Sequence, residues 1–98
     1  MSLPVIYLPE ARDDIDAAYA VYEARQPGLG DPFLQAVDDR VSQIQANPAM
    51  YGSVNGDVRA APLRRFPYVV YYRVKATQIE IIAVQHGRRS SSSWQSRV

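Results

Sequence analysis

Cysteine is absent from this 98-residue sequence, and lysine, histidine and tryptophan occur once each. Without cysteine there is no disulfide framework and no cysteine-ligated zinc site, a composition at home in the reducing cytoplasm, which is the expected location. No apolar run approaches the roughly 20 residues a membrane helix needs, so no membrane association is expected. The opening MSLPVIYL has no basic n-region and does not read as a secretory signal. Also missing are the phosphate-binding P-loop, the glycine pattern of dinucleotide-binding folds, the HExxH zinc motif and any serine or cysteine nucleophile constellation. No cofactor or metal is therefore expected. The length suits one domain over residues 1–98, able to bury roughly two-thirds of its unfolded surface.

Charge is present but segregated. Residues 1–56 carry Arg12, Arg25 and Arg40 against eight acids, a balance of −5. Residues 57–98 carry eight bases against Asp57 and Glu80, a balance of +6. Seven of those eight bases are arginine, whose planar fork of donors suits phosphate and carboxylate. A basic layer points to nucleic acid or an acidic partner, or serves only to keep that layer soluble.

The apolar pattern changes character along the chain. Val5-Ile6-Tyr7-Leu8, bounded by Pro4 and Pro9, reads as a short buried strand. Pro9 opens a helix whose first turns are acidic and whose stripe is Ala11, Ile15, Ala18, Tyr19 and Tyr22, ended by Pro27-Gly28. Gly30-Asp31-Pro32 starts a second helix, with Asp31 expected as N-cap and Pro32 at the first helical position. Its stripe is Phe33, Leu34, Val37, Val41 and Ile44, ended by Asn47-Pro48. Arg40 is expected on its solvated face. Residues 49–57 read as a loop. Residues 58–65 form a strand whose pairing Pro62 limits. Residues 67–74 and 78–85 are rich in β-branched and aromatic residues, and Lys75-Ala76-Thr77 joins them as a hairpin. The expected fold is α+β, in the order β-α-α-β-β-β, with an antiparallel helix pair on one face of a mainly antiparallel sheet.

Strict alternation puts Glu80, Ile82, Val84 and His86 on one face of the last strand, and Ile79, Ile81, Ala83 and Gln85 on the other. Both faces are largely apolar. The helices cover one; the C-terminal tail, a partner or both must cover the other. Trp94 argues for the tail, since a large ring gains nothing by standing in water. Tyrosines interleave the strand arginines, which suits base stacking or packing in an interface. His86, beside Arg88 and Arg89, has the titration range of a general acid or base, and a ribonuclease needs such a group with arginines around the phosphorane. A second proton-transfer group is not evident: Glu80 is six residues away, roughly 20 Å along a strand, and nothing places Asp57 nearby. A lone histidine at a strand end also serves structurally, anchoring a turn or tail.

Taken in order, Ala11 with Asp13 and Asp14, Asn47-Pro48, Arg59, Arg65-Phe66-Pro67-Tyr68, His86-Gly87-Arg88-Arg89, Trp94 and Arg97 resemble the ParE branch of the RelE/ParE toxin superfamily, the plasmid stabilisation toxins of type II toxin–antitoxin modules. The resemblance runs over nearly the whole chain. One departure is Ser90-Ser91, where many relatives carry Asp-Pro; losing that proline is expected to loosen the segment.

The resemblance implies a bacterial growth inhibitor neutralised by a cognate antitoxin in a hetero-oligomer, with an acidic or amphipathic antitoxin segment and the operator-binding domain on the antitoxin. ParE-like members are associated with inhibition of DNA gyrase. RelE-like members cut ribosome-bound mRNA. Whether the chain is an enzyme depends on the branch, and scarce lysine with no tyrosine near the C-terminus favours the non-nuclease one. On this reading the target-binding candidates are Arg65, His86, Arg89, Trp94 and Arg97. His86 and Arg65 are the catalytic candidates if the branch is RelE-type, and Arg59, Tyr68, Tyr71 and Arg73 are the antitoxin-binding candidates. An RNA-binding module without toxicity is the rival from another class.

Overall fold

The computed structural model describes residues 2–89 and 92–98. The chain runs β1 (Val5–Tyr7), α1 (Pro9–Arg25), α2 (Gly30–Ala46), β2 (Ser53–Asn55), β3 (Val58–Pro62), β4 (Tyr68–Val74), β5 (Ile79–His86) and α3 (Ser92–Gln95). One five-stranded sheet has the order β1-β5-β4-β3-β2, with β1 parallel to β5 and the other neighbours antiparallel. This is the expected α+β arrangement of a helix pair on a mainly antiparallel sheet. Two elements join it. Part of the expected 49–57 loop pairs as β2, turning into β3 at Gly56, which has φ 57°. A single helical turn, α3, closes the chain.

Pro9 begins α1, where the missing N–H costs nothing. The entry to α2 differs from the sequence expectation. The helix starts at Gly30, with Leu29 at the N-cap position and no side-chain cap of its own. The cap comes from α1 instead: the Glu23 carboxylate accepts hydrogen bonds from Gly28 N–H (3.1 Å) and Gly30 N–H (2.8 Å). A carboxylate at a helix N-terminus also meets the favourable end of the dipole. Asp31 is thus not the cap. Gly30 is required by crowding: a Cβ there would lie 2.5 Å from the Tyr19 ring.

The main core lies between the helix pair and the sheet. Ala11, Ala18 and Tyr22 of α1 and Phe33, Val37, Val41 and Ile44 of α2 are buried against Val70, Tyr72, Ile79, Ile81 and Val84. Leu34, expected in the α2 stripe, is instead 38% exposed. Tyr22, Phe33, Phe66 and Tyr68 form an aromatic cluster with centroids 5.1–6.1 Å apart, mostly edge-on. Arg40 is not a solvated helix residue. Its Nε donates to Pro62 O (2.7 Å) and its Nη1 to Tyr51 Oη (2.6 Å) and the Gln43 side chain, tying α2 to the end of β3.

Strict alternation fails in β5. Tyr72 pairs with Ile81 but Tyr71 pairs with Ala83, so Ile82 is an extra residue opposite the β4 strand. Such a bulge moves every later side chain to the opposite face. Ile79, Ile81 and Val84 join the helix-side core, while Ile82 and Ala83 face away from it with Val58 and Trp94. His86 therefore sits on the helix side, opposite Tyr68, and Glu80 on the other face opposite Arg73. This corrects the expectation that Glu80 and His86 share a face.

The C-terminal tail covers the second face. Trp94 is 1% exposed and stacks on Tyr71, with centroids 5.0 Å apart and an interplanar angle of 27°. The departure at Ser90-Ser91 lies outside the described residues.

Candidate functional site

The β3–β4 loop and the chain after β5 meet at one end of the sheet. Tyr68 pairs with His86, and Gly87 N–H donates to Pro67 O (2.8 Å). Leu63 N–H donates to Tyr68 O (2.9 Å) and closes the loop. Arg64 and Arg65 stand on that loop, and Arg88 and Arg89 follow His86; all four are exposed. None of their guanidinium groups is bonded to another described residue.

His86 is half-buried, its ring 5.6 Å from that of Tyr68. Its Nδ1 accepts the Arg88 backbone N–H (3.1 Å), which places the proton of the neutral ring on Nε2. The histidine therefore does anchor a turn, while leaving Nε2–H without a partner among the described residues. A cleft of about 140 Å³ between this ring and α1 is lined by Asp14, Val21, Tyr68, His86 and Arg89, among others. A second cleft of about 530 Å³ runs from Arg64 and Arg65 along the side of α2, past Arg40, Gln43 and Asp39.

Three of the target-binding candidates, Arg65, His86 and Arg89, are thus brought to one end. The other two are engaged elsewhere. Trp94 is buried between the tail and the sheet, against Tyr71 and Ile82. Arg97 holds an edge together. β1 stops early, its last bond running from Leu8 N–H to Ile81 O (2.9 Å), so the β5 edge is open at Ile82 and Val84. Asp14 Oδ2 accepts the Val84 N–H (3.1 Å), and Arg97 Nη1 donates to Ile82 O (3.1 Å). The two side chains also form a fork, at 2.6 and 3.2 Å. One acidic and one basic side chain stand in for the missing strand, satisfying both backbone groups. The Arg97 fork, expected to face a target, is thus bonded within the protein.

The antitoxin-binding candidates do not form one surface. Arg59 pairs with Tyr72, and Tyr68 with His86, on the helix face; Tyr71 and Arg73 point to the other. Each is also engaged internally. Arg59 Nη1 donates to Tyr51 O (2.6 Å), pinning the loop after α2. Arg73 is paired with Glu80 at 2.8 Å, which, with the Gln78 amide, holds the Glu80 carboxyl below its ordinary value. Tyr71 lies under Trp94, and Tyr68 in the aromatic cluster. Arg64 and Arg88, placed in the basic set by sequence but not among the candidates, stand at the same end of the sheet as Arg65 and Arg89. Their doubling with Arg65 and Arg89 was the available signal. No group of three or more His, Asp or Glu side chains able to hold a metal occurs among the described residues, and no described helix is long and apolar enough to cross a membrane.

Residues 5–91 match the family model of the ParE toxin of the type II toxin–antitoxin system parDE. The chain belongs to the ParE toxin family. The fold of this toxin is similar to that in the chromosomal ParDE toxin–antitoxin system from P. aeruginosa, at TM-score 0.78 and 26% identity, over 87% of this chain and 96% of that one. A second similar structure is the toxin–antitoxin complex RelBE2 from Mycobacterium tuberculosis, at TM-score 0.63 and 20% identity, over 88% of this chain and 99% of the other; at that identity it speaks to the fold alone. No curated protein matches the toxin.

Proposed function

We propose that this toxin arrests bacterial growth by inhibiting DNA gyrase through its arginine-rich end, and that a cognate antitoxin neutralises it in the cytoplasm. The observation that carries the choice of inhibitor over nuclease is the isolation of His86. Cleavage through a 2′-hydroxyl needs paired proton-transfer groups. Glu80 is on the opposite face and bonded to Arg73. Asp57 follows Gly56 in the β2–β3 turn, near the opposite end of the sheet, where Val58 pairs with Arg73. Asp14 does line the His86 cleft, but its oxygens are taken by Val84 N–H and the Arg97 fork. The similar ParDE system supports an antitoxin partner. An acidic or amphipathic antitoxin segment, with the operator-binding domain on the antitoxin, suits the basic surface.

A ribosome-dependent nuclease is the second reading, favoured by the Nε2–H of His86, which has no partner among the described residues and stands beside Arg89. Induced expression separates the two. The inhibitor reading expects growth arrest with mRNA left intact on ribosomes, relieved by co-expressing an adjoining small reading frame. Arrest abolished by His86→Ala, with mRNA cut on ribosomes, supports the nuclease. No arrest at all, with salt-dependent RNA binding, supports the RNA-binding module.

A further inference from the structure

The ten arginines of the chain sort into two groups. Arg40, Arg59, Arg73 and Arg97 are hydrogen-bonded within the protein. Arg12 and Arg25 lie over the rings of Tyr7 and Tyr22, at 5.1 and 5.6 Å. Only Arg64, Arg65, Arg88 and Arg89 have neither kind of partner among the described residues, and all four stand at the same end of the sheet, on two segments joined by the Gly87–Pro67 bond. The one acid in residues 58–89 is Glu80, paired with Arg73 at the opposite end. Asp39 lines the cleft beside Arg64 and Arg65 and Asp14 the one beside Arg89, but neither is ion-paired to them, and four guanidinium groups so placed repel one another unless an anion meets them.

We infer that this end binds the phosphodiester backbone of nucleic acid, and of duplex DNA in particular. The inference deepens the gyrase reading and rests on it for its setting, since gyrase acts on duplex DNA. Two observations choose the ligand. Binding of single strands relies on exposed aromatic platforms for stacking. Here Phe66 and Tyr68 are held in the aromatic cluster, and Trp94 is 1% exposed between the tail and the sheet. Protein interfaces centre on tightly packed tryptophan, tyrosine and arginine anchors, and the aromatic rings at this end are already packed within the protein. The exposed apolar residues Val54 and Val74 lie at the other end of the sheet, and Val21 borders Arg89. What remains is a fork-donor surface fit for phosphate, reading no base edges and so indifferent to sequence.

Fluorescence anisotropy tests it, using a labelled mixed-sequence DNA duplex of about 20 base pairs and a single-stranded RNA of the same sequence. Four phosphate contacts give a slope of log affinity against log salt of about −3 to −4, or a loss of roughly 100-fold between about 50 and 200 mM KCl. Each single Arg→Ala among the four should reduce that slope by about 1. The quadruple alanine variant should lose duplex binding while melting like the wild type, and Arg12→Ala should bind normally. No duplex binding at the lowest salt, tighter binding to the RNA, or unchanged binding by the folded quadruple variant would each overturn the inference. Growth arrest measured in parallel keeps the two readings apart. Arrest without duplex binding refutes this inference and spares the toxin reading; duplex binding without arrest does the reverse.

Discussion

Replacing Arg97 with alanine severs three hydrogen bonds, two to Asp14 and one to Ile82 O. Among the described residues it leaves the Asp14 carboxylate bonded only to Val84 N–H, and it reopens the β5 edge. A charged hydrogen bond contributes about 1.5–3 kcal/mol, and breaking a fully buried pair costs about 3–5. The two side chains here are 16% and 11% exposed, so partial screening lowers the expected cost to about 2–3 kcal/mol. For a domain of this size that is a fall in melting temperature of about 10–20 °C. The tail should loosen along with the clamp. Gln85 Nε2 and Trp94 Nε1 are buried donors without partners among the described residues, so apolar contacts, the clamp and the Ser93 hydroxyl donating to Gln85 Oε1 carry the attachment. Trp94 is the sole tryptophan, and its emission should shift to the red as it leaves Tyr71. Asp14→Asn with Arg97→Gln should cost less than the sum of the singles, because the coupling between them is lost only once. A melt within about 2 °C of wild type with unshifted emission would refute the reasoning. The same result bears on growth assays: relief of arrest by Arg97→Ala is expected to come from a loosened tail.

Gly30→Ala should destabilise the fold by about 1–3 kcal/mol, as the added methyl meets the Tyr19 ring 2.5 Å away; chemical denaturation measures it. Arg40→Ala should cost about 1–3 kcal/mol, because it frees Pro62 O and Tyr51 Oη together; the same denaturation series reads it against Arg12→Ala. The depressed Glu80 carboxyl stabilises the fold above its unfolded value of about 4.5, and that contribution is lost as pH falls through the lower folded value. Wild type and Glu80→Gln should thus differ in melting temperature at neutral pH and converge in acid, and a gap that stays constant down to low pH would rule this out.

The parts of the molecule legible in the sequence are those written locally. The stripes of α1 and α2 and the turn to β-branched residues after residue 58 gave the layers, and Trp94 announced its own burial. The bulge at Ile82 was invisible because both faces of β5 are apolar, so alternation carried no check on register. The α2 cap was missed because Glu23 reaches it from the preceding helix, while Asp31 offered a nearer but unused carboxylate. The Asp14–Arg97 clamp joins residues 83 positions apart, a separation at which spacing says nothing. The same gap explains the site: the paired doublets Arg64-Arg65 and Arg88-Arg89 could be read as basic, but only the Tyr68–His86 register shows that they share one end.

The central claim is that this arginine-rich end meets gyrase. A supercoiling assay with purified gyrase, titrated with the toxin and with its Arg65→Ala and Arg89→Ala variants, tests it directly. The account predicts inhibition by the wild type, weakened by each variant by roughly 10- to 150-fold while both variants melt normally. Undiminished supercoiling at saturating wild-type toxin, or folded variants that inhibit as strongly as the wild type, would contradict it.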